Sequence, residues 1–299
     1  MIVPKSSDLL TTGVCPRTRL RFAYAEVTDS ARALGQNHLC GPTAGLALAE
    51  ALAGVALLGA DLHAPDETVL MRLQVPGPIR GFLAEAAGDG GLRGYTQVKV
   101  MNALDDRDEI DLDEAFGDRG DVQILHTAPG RLISQAAFSV SPVSARAAVE
   151  EYYVRSLQRP AAVQVAALTY GGYIDLARGA LVECMPDGDR AAFEQAARLV
   201  ADGTALEALE TSLSAQEWCE TLGLAGVRLD PPRPLAFRCR CTRERVETVV
   251  GALSLAELQE LLQQGRAAQV YCHMCGKGYE VSPERLAALI AGKRKGTEP

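Results

Sequence analysis

Aromatic side chains supply only 5% of the 299 residues, with one tryptophan, Trp218. The cysteine-bearing end is especially poor in them, which removes the stacking platforms that single-stranded nucleic acid needs. Long apolar runs are also missing. The most apolar segment, Ala44 to Leu62, is interrupted by Glu50 and falls short of the ~18 to 20 residues of a membrane span, so it reads as a buried helix. Met1 to Leu20 has no basic start followed by an apolar core, which argues against a secretory signal and makes the cytoplasm the expected compartment. Catalytic signatures are lacking as well. There is no Gly-x-Ser-x-Gly elbow, no phosphate-binding Gly-x-x-x-x-Gly-Lys-Ser/Thr loop and no His-Glu-x-x-His, and His38, His63 and His126 do not open the His-x-Glu of a zinc deaminase. The sequence therefore points away from an enzyme.

Charge is unevenly spread. Residues 233–299 carry 11 Lys or Arg against 7 Asp or Glu, a local balance of +4, whereas residues 1–232 sum to -12 within a total of -8. An acidic majority argues against a nucleic-acid-binding protein as a whole. The densest acidic stretch, Asp105 to Glu114, lacks the spacing of a calcium loop and reads as a solvated segment.

With 47% apolar residues dominated by Ala and Leu, a sizeable core is expected, and the length suits about two domains. Leu20 to Val27 reads as a strand and Ala44 to Gly59 as a helix. In Val69 to Val75, Val69, Met71, Leu73 and Val75 alternate with other residues, the period of a half-buried strand. Ile79 to Ala87 and Leu92 to Val100 flank the turn-forming Gly88-Asp89-Gly90-Gly91, as in a hairpin. Val122 to Thr127 and Leu132 to Val140 surround Pro129-Gly130, a helix is expected over Ser144 to Gln158, and Ala162 to Thr169 with Tyr173 to Met185 form a last strand pair. The sheet is expected to be largely antiparallel. From Asp187 the pattern becomes helical, over Arg190 to Val200, Ala205 to Leu213 and a third helix opened by Ser214 and Glu217 in capping-box spacing. Pro231-Pro232-Arg233-Pro234 is the strongest linker signal. The expected class is α+β: a largely antiparallel-sheet N-terminal domain (1–186), a helical linker (187–236) and a small C-terminal zinc-binding domain (237–299).

Four of the eight cysteines fall in that last part, as Cys239-Arg240-Cys241 and Cys272-His273-Met274-Cys275. Each pair can offer two thiolates to one tetrahedral ion, and Gly276 and Gly278 suit a tight knuckle turn. The intervening stretch reads as two helices, Arg243 to Ala252 and Leu255 to Gln264, the second capped by Ser254 and Glu257 and closed by Gly265. One Zn2+ per chain on Cys239, Cys241, Cys272 and Cys275 is the reading of choice over buried thiols or a thioredoxin-like redox motif, whose helix the two glycines would oppose. With four thiolates, His273 is expected outside the ligand set. Cys15, Cys40, Cys184 and Cys219 have no ligand spacing and read as small buried hydrophobes. A thiolate locked in a disulfide no longer ligates metal, so oxidation would eject the ion and unfold a module too small to stand on its core alone.

The run Phe237-Arg238-Cys239-Arg240-Cys241-Thr242-Arg243-Glu244-Arg245, then Cys272-His273-Met274-Cys275-Gly276 and Tyr279, with thirty residues between Cys241 and Cys272, closely resembles the zinc end of the bacterial thirty-three-kilodalton heat-shock proteins, the redox-regulated holdase chaperones. The likeness extends upstream through Gly77-Pro78, Arg93-Gly94, the helix ending Tyr152-Tyr153-Val154-Arg155-Ser156-Leu157-Gln158, and Gly179 to Pro186. The family usually has Glu at the position of Leu157 and Ser at that of Thr242. The resemblance implies an ATP-independent chaperone that is quiet while reduced, zinc-bound and monomeric. It implies that oxidation pairs Cys239 with Cys241 and Cys272 with Cys275, that zinc leaves and the linker unfolds, and that a homodimer then holds unfolding client proteins. The competing reading is a zinc-knuckle module that binds nucleic acid or protein through Arg238, Arg240, Arg243, Arg245 and the tail Lys293-Arg294-Lys295, with no redox-switched chaperone activity.

Overall fold

The structure is a computed structural model that describes residues 7–211 and 214–295, with side chains to residue 293. It divides into two compact units, the first ending at Arg238 and the second beginning at Cys239.

The first unit opens with β1 (Leu9–Cys15), β2 (Leu20–Glu26), α1 (Thr28–His38), α2 (Pro42–Leu58), β3 (Thr68–Gln74), β4 (Gly81–Ala87) and β5 (Gly91–Thr96). Short helices α3 (Asn102–Asp105) and α4 (Leu112–Phe116) lead to β6 (Gly120–Ala128), β7 (Arg131–Val140), α5 (Ala145–Glu151), β8 (Ala161–Tyr170) and β9 (Tyr173–Cys184). Three helices follow, α6 (Arg190–Ala201), α7 (Thr204–Glu210) and α8 (Ala215–Thr221), then the two-residue strands β10 (Arg228–Leu229), β11 (Arg233–Pro234) and β12 (Ala236–Phe237). The class is α+β with antiparallel sheets, as expected.

There are two sheets rather than one. The first has the order β10-β1-β2-β9-β8, with β11 also on β1, and the second runs β12-β5-β4-β3-β6-β7. Every pairing is antiparallel except β12 on β5. The alternation over β3 is real: Val69, Met71 and Leu73 are buried on one face. The expected hairpins form as β4–β5, β6–β7 and β8–β9. Gly81, where the β4 hairpin begins, has φ 119°, and a Cβ there would meet the Leu73 carbonyl oxygen at 1.9 Å, so only glycine fits.

Helix α2 explains the layering. It begins with Pro42 at its first turn and is buried on nearly every side, packing on β9, β8 and β2 of one sheet and on β4, β5 and β3 of the other. A helix apolar all round can only be stable inside a core. Among the described residues, Pro42–Asp61 is the one helix long and apolar enough to cross a membrane, and 83% of it is buried in the protein. The buried helix expected over Ala44 to Leu62 is thus the central layer between the sheets.

Helices α6 to α8 cover the other face of the first sheet. Leu20, Phe22 and Tyr24 of β2, Ala162 and Ala166 of β8, and Leu176, Ala180 and Val182 of β9 meet Ala196, Val200, Ala205, Ala208, Leu209, Trp218, Cys219 and Leu222. The capping box on α8 is present: Ser214 accepts from the Glu217 N–H, and the Glu217 carboxylate accepts from the Ser214 N–H at 2.8 Å. Ser212 and Leu213, at the expected end of the middle helix, lie outside the described residues. Trp218 is fully buried and donates its indole N–H to the Ala205 carbonyl at 3.1 Å. Arg178 of β9 pairs with Glu26 and donates to the Leu209 carbonyl at 2.8 Å, holding the end of α7 to the sheet.

Several expectations are corrected. The first strand is expected at Leu20, yet β1 precedes it. Helix α1, unforeseen, is capped from the residue before β1: the buried Asp8 carboxylate accepts the Asp29 and Ser30 N–H groups at 2.9 and 2.8 Å. The helix expected over Ser144 to Gln158 is α-form only to Glu151 and widens to a π turn over Tyr152–Ser156. The acidic stretch is not all solvated loop, because Asp105 accepts from Thr43 N at 2.9 Å at the start of α2, and Asp111 caps α4. The proline run is zipped to sheet edges as β11, which suits Pro because an edge strand need not donate on its outer side.

Candidate metal centre

The second unit contains α9 (Arg243–Ala252), α10 (Leu255–Gln263), β13 (Ala268–Tyr271), β14 (Gly278–Val281) and α11 (Pro283–Lys295). Local chemistry sets its elements. Thr242 caps α9 by accepting from Arg245 N at 3.3 Å, and Ser254 with Glu257 forms the expected capping box of α10. The β13–β14 hairpin pairs Val270 with Tyr279 and Tyr271 with Gly278. Its core is small. Val246, Val250, Leu258, Tyr279, Val281, Leu286 and Ile290 are the buried side chains, edged by half-buried neighbours that include Cys241 and Cys272.

The hairpin loop brings the second cysteine pair into place. Cys272 N donates to the Lys277 carbonyl at 3.0 Å, and the Cys275 and Gly276 N–H groups turn back to the Cys272 carbonyl at 3.3 and 2.8 Å. Gly276, with φ 71°, supplies the left-handed residue that this knuckle requires. Cys239 and Cys241 approach from the irregular chain before α9. The Sγ atoms of Cys239 and Cys272 are 3.8 Å apart, those of Cys241 and Cys275 are 3.5 Å apart, and all four lie within 4.8 Å of one another. Sulfurs bound at ~2.3 Å around one tetrahedral zinc would be separated by about 3.8 Å, so the set could hold a metal ion after shifts of about 1 Å or less. All eight cysteines are free thiols.

The electrostatics agree with that fit. Burial raises the pKa of Cys272 and, strongly, that of Cys275, which is 1% exposed. At Cys241 burial acts in the same upward direction, but hydrogen bonds from Tyr279 and the other three thiols outweigh it and bring the pKa down. The Tyr279 hydroxyl lies 3.0 Å from Cys241 Sγ and 3.1 Å from its carbonyl oxygen. Four sulfurs this close cannot all ionise without a compensating cation, and a divalent ion among them would hold all four as thiolates. The soft S4 donor set suits zinc among common ions.

The other candidates lie elsewhere. His273 is exposed and is not part of the cluster. Cys15, Cys184 and Cys219 are buried in the first unit, and Cys40 is half-buried after α1. Arg238 is engaged with Asp89, Arg243 with the Glu280 carbonyl and Arg245 with the Arg240 carbonyl. These contacts occupy much of the basic set that a nucleic-acid module would present. The side chains of Arg294 and Lys295 lie outside the described residues. Sequence reasoning gave Tyr279 no role at the cysteines. Its place opposite Val270 in a short hairpin was the signal for it.

Known proteins agree with this layout. A family model described as Hsp33 protein matches residues 8–282. The chain belongs to the Hsp33 family. It is 31% identical to the 33 kDa chaperonin of Symbiobacterium thermophilum over 96% of this chain and 99% of that one. It is 26% identical to the 33 kDa chaperonin of Geobacillus sp. (strain WCH70), covering 95% of this chain and 97% of the relative. In fold it is similar to the crystal structure of the 33 kDa chaperonin (heat shock protein 33 homolog) from Thermotoga maritima. The TM-score is 0.83 at 21% identity, over 97% of this chain and 100% of that one. The Hsp33 relatives are named as 33 kDa chaperonins.

Proposed function

We propose that this chain is a redox-regulated, ATP-independent holdase of the cytoplasm, in which Cys239, Cys241, Cys272 and Cys275 hold one Zn2+ while reduced. The observation that carries the reading is the convergence of these four free sulfurs within 4.8 Å in a unit with a small core. Oxidation joins Cys239 to Cys241 and Cys272 to Cys275. Each thiolate pair, in forming its S–S bond, gives up two electrons to one molecule of hydrogen peroxide, whose O–O bond breaks and which takes two protons from solvent to leave as two waters, so two peroxides oxidise all four ligands. Thiolates joined in this way can no longer ligate, and the module loses the fold that the metal supported.

Residues 187–236 act as the linker that senses this loss. They dock on the first sheet through Val200, Leu209, Leu222 and Leu224 together with alanines such as Ala196, Ala205 and Ala208, with Trp218 as the main anchor. The alanines among them bury little area each, so docking depends on Trp218 and a few leucines and valines. Undocking uncovers Leu20, Phe22, Tyr24, Leu176 and Val182, a continuous apolar face suited to unfolding clients. The resting form is a monomer and the active form a homodimer.

Aggregation of a heat-unfolded client tests the reading. Reduced, zinc-loaded protein is expected to leave aggregation unchanged, while peroxide with mild warming should release one zinc per chain and switch suppression on. Equal suppression in both states would refute the switch.

A further inference from the structure

The outer edge of β5 is closed in an unusual way. Its outward carbonyls come from alternate residues, and each has a separate partner. Gly90 O accepts from Ala236 N and Leu92 O from Arg238 N, both at 3.0 Å. Beyond β12 the partners are side chains: His38 Nε2 lies 3.0 Å from Gly94 O, and Lys99 Nζ donates to Thr96 O. Main chain thus covers half of this row and two side chains plug the rest, a device that keeps an exposed strand edge from pairing with other chains.

The main-chain cover is thin. β12 runs parallel to β5, so Pro231, Pro232 and Pro234, which have no N–H to give, lie towards the start of β5 and away from Gly94 and Thr96. The cover is held by Leu235, 3% exposed, whose N–H donates to the Asp8 carbonyl at 2.9 Å, and by Arg238, which donates to the Asp89 carbonyl at 2.8 Å. Arg238 is also the residue bonded to Cys239, the first cysteine of the metal centre.

We propose that the β5 edge is a strand-addition site for extended segments of unfolding client proteins, opened when β12 peels away. The inference rests on the chaperone reading and adds a second binding mode to its apolar face. The segment now seated there shows the occupant's chemistry: an extended parallel strand with a buried Leu235 and half-buried Ala236 and Phe237. A client with an N–H at every residue can pair with all four carbonyls once His38 and Lys99 swing aside, where β12 pairs with two. Main-chain pairing is indifferent to sequence, and alternate side chains select only for apolar character, which suits a protein that must hold many clients.

The test uses the full chain and a fluorescent peptide of residues 233–238, Arg-Pro-Leu-Ala-Phe-Arg. A twin peptide is N-methylated at the Ala and final Arg nitrogens, which removes the two donors. Oxidised protein is expected to bind the unmodified peptide about tenfold or more tightly than the twin, as the loss of two hydrogen bonds requires. Reduced protein should bind neither. The Ala236→Pro variant lacks the N–H given to Gly90 and should bind the unmodified peptide even when reduced. Excess unmodified peptide, and not the twin, should weaken aggregation suppression. Equal affinity for both peptides would overturn the proposal. So would peptide binding that disappears as the oxidised chain dimerises, which would assign the edge to a second copy. If Ala236→Pro discriminates the peptides while oxidised wild type neither binds them nor suppresses aggregation, the edge site stands and the redox reading falls. Suppression without peptide discrimination gives the reverse.

Discussion

Cys275→Ser is expected to unfold the described part of the second unit, residues 239–295, while leaving the two sheets of the first unit folded. Cys275 is the most deeply buried of the four cysteines, and its N–H helps close the knuckle that positions Cys272. Serine is a poor zinc ligand, so the variant loses a tetrahedral S4 site that contributes about 10 to 16 kcal/mol in comparable small modules. Seven buried side chains, from Val246 to Ile290, cannot replace that contribution in a unit of this size. Limited proteolysis is the check. Cleavage should appear within α9 and α10 of the variant, and a chelator should reproduce it in the wild type. Protection equal to that of the zinc-loaded parent would show that the module folds without metal.

Trp218→Ala should free the linker without any oxidant. Trp218 is fully buried between α7 and the first sheet, and its indole N–H is satisfied by the Ala205 carbonyl. Removing so large a core side chain costs about 3 to 5 kcal/mol. The contacts that remain come from Val200, Leu209, Leu222, Leu224 and several alanines, each burying less area than the indole, so docking of α6 to α8 is weakened across the interface. The variant is expected to suppress client aggregation while reduced and still carrying zinc, and to bind an apolar dye at the uncovered sheet face. A reduced variant that stays inactive, with its linker as protease-resistant as the parent's, would mean that the docked helices are not the barrier to client binding.

What the sequence made legible was the chemistry that is local. Val69, Met71 and Leu73 announced a strand through their period, and Gly88 to Gly91 announced a hairpin. The caps at Ser214 and Ser254 lie within four residues of the carboxylates that complete them. The cysteine cluster was legible for the same reason, since each pair of cysteines is close in the chain. Features made by distant partners were not. Helix α1 is capped by Asp8, some twenty residues earlier, and β1 is a strand because β2 and β10 pair with it, not because its Thr11 and Thr12 alternate with apolar neighbours. The separation into two sheets depends on β2 meeting β9, some 150 residues later, around a helix buried on nearly all sides. The proline run looked like a free linker because Pro breaks regular structure, and an edge strand is the one sheet position that tolerates it.

The central claim is that the state of four thiols decides whether the linker stays docked. Trp218 is the only tryptophan in the chain and sits within the docked linker, so its emission reports that docking directly. Following tryptophan emission and released zinc together during peroxide treatment is the most direct measurement. The expected result is a red shift that tracks zinc release and reverses when thiols are reduced with zinc present. Complete loss of zinc and thiols with Trp218 still emitting from a buried site would contradict the account.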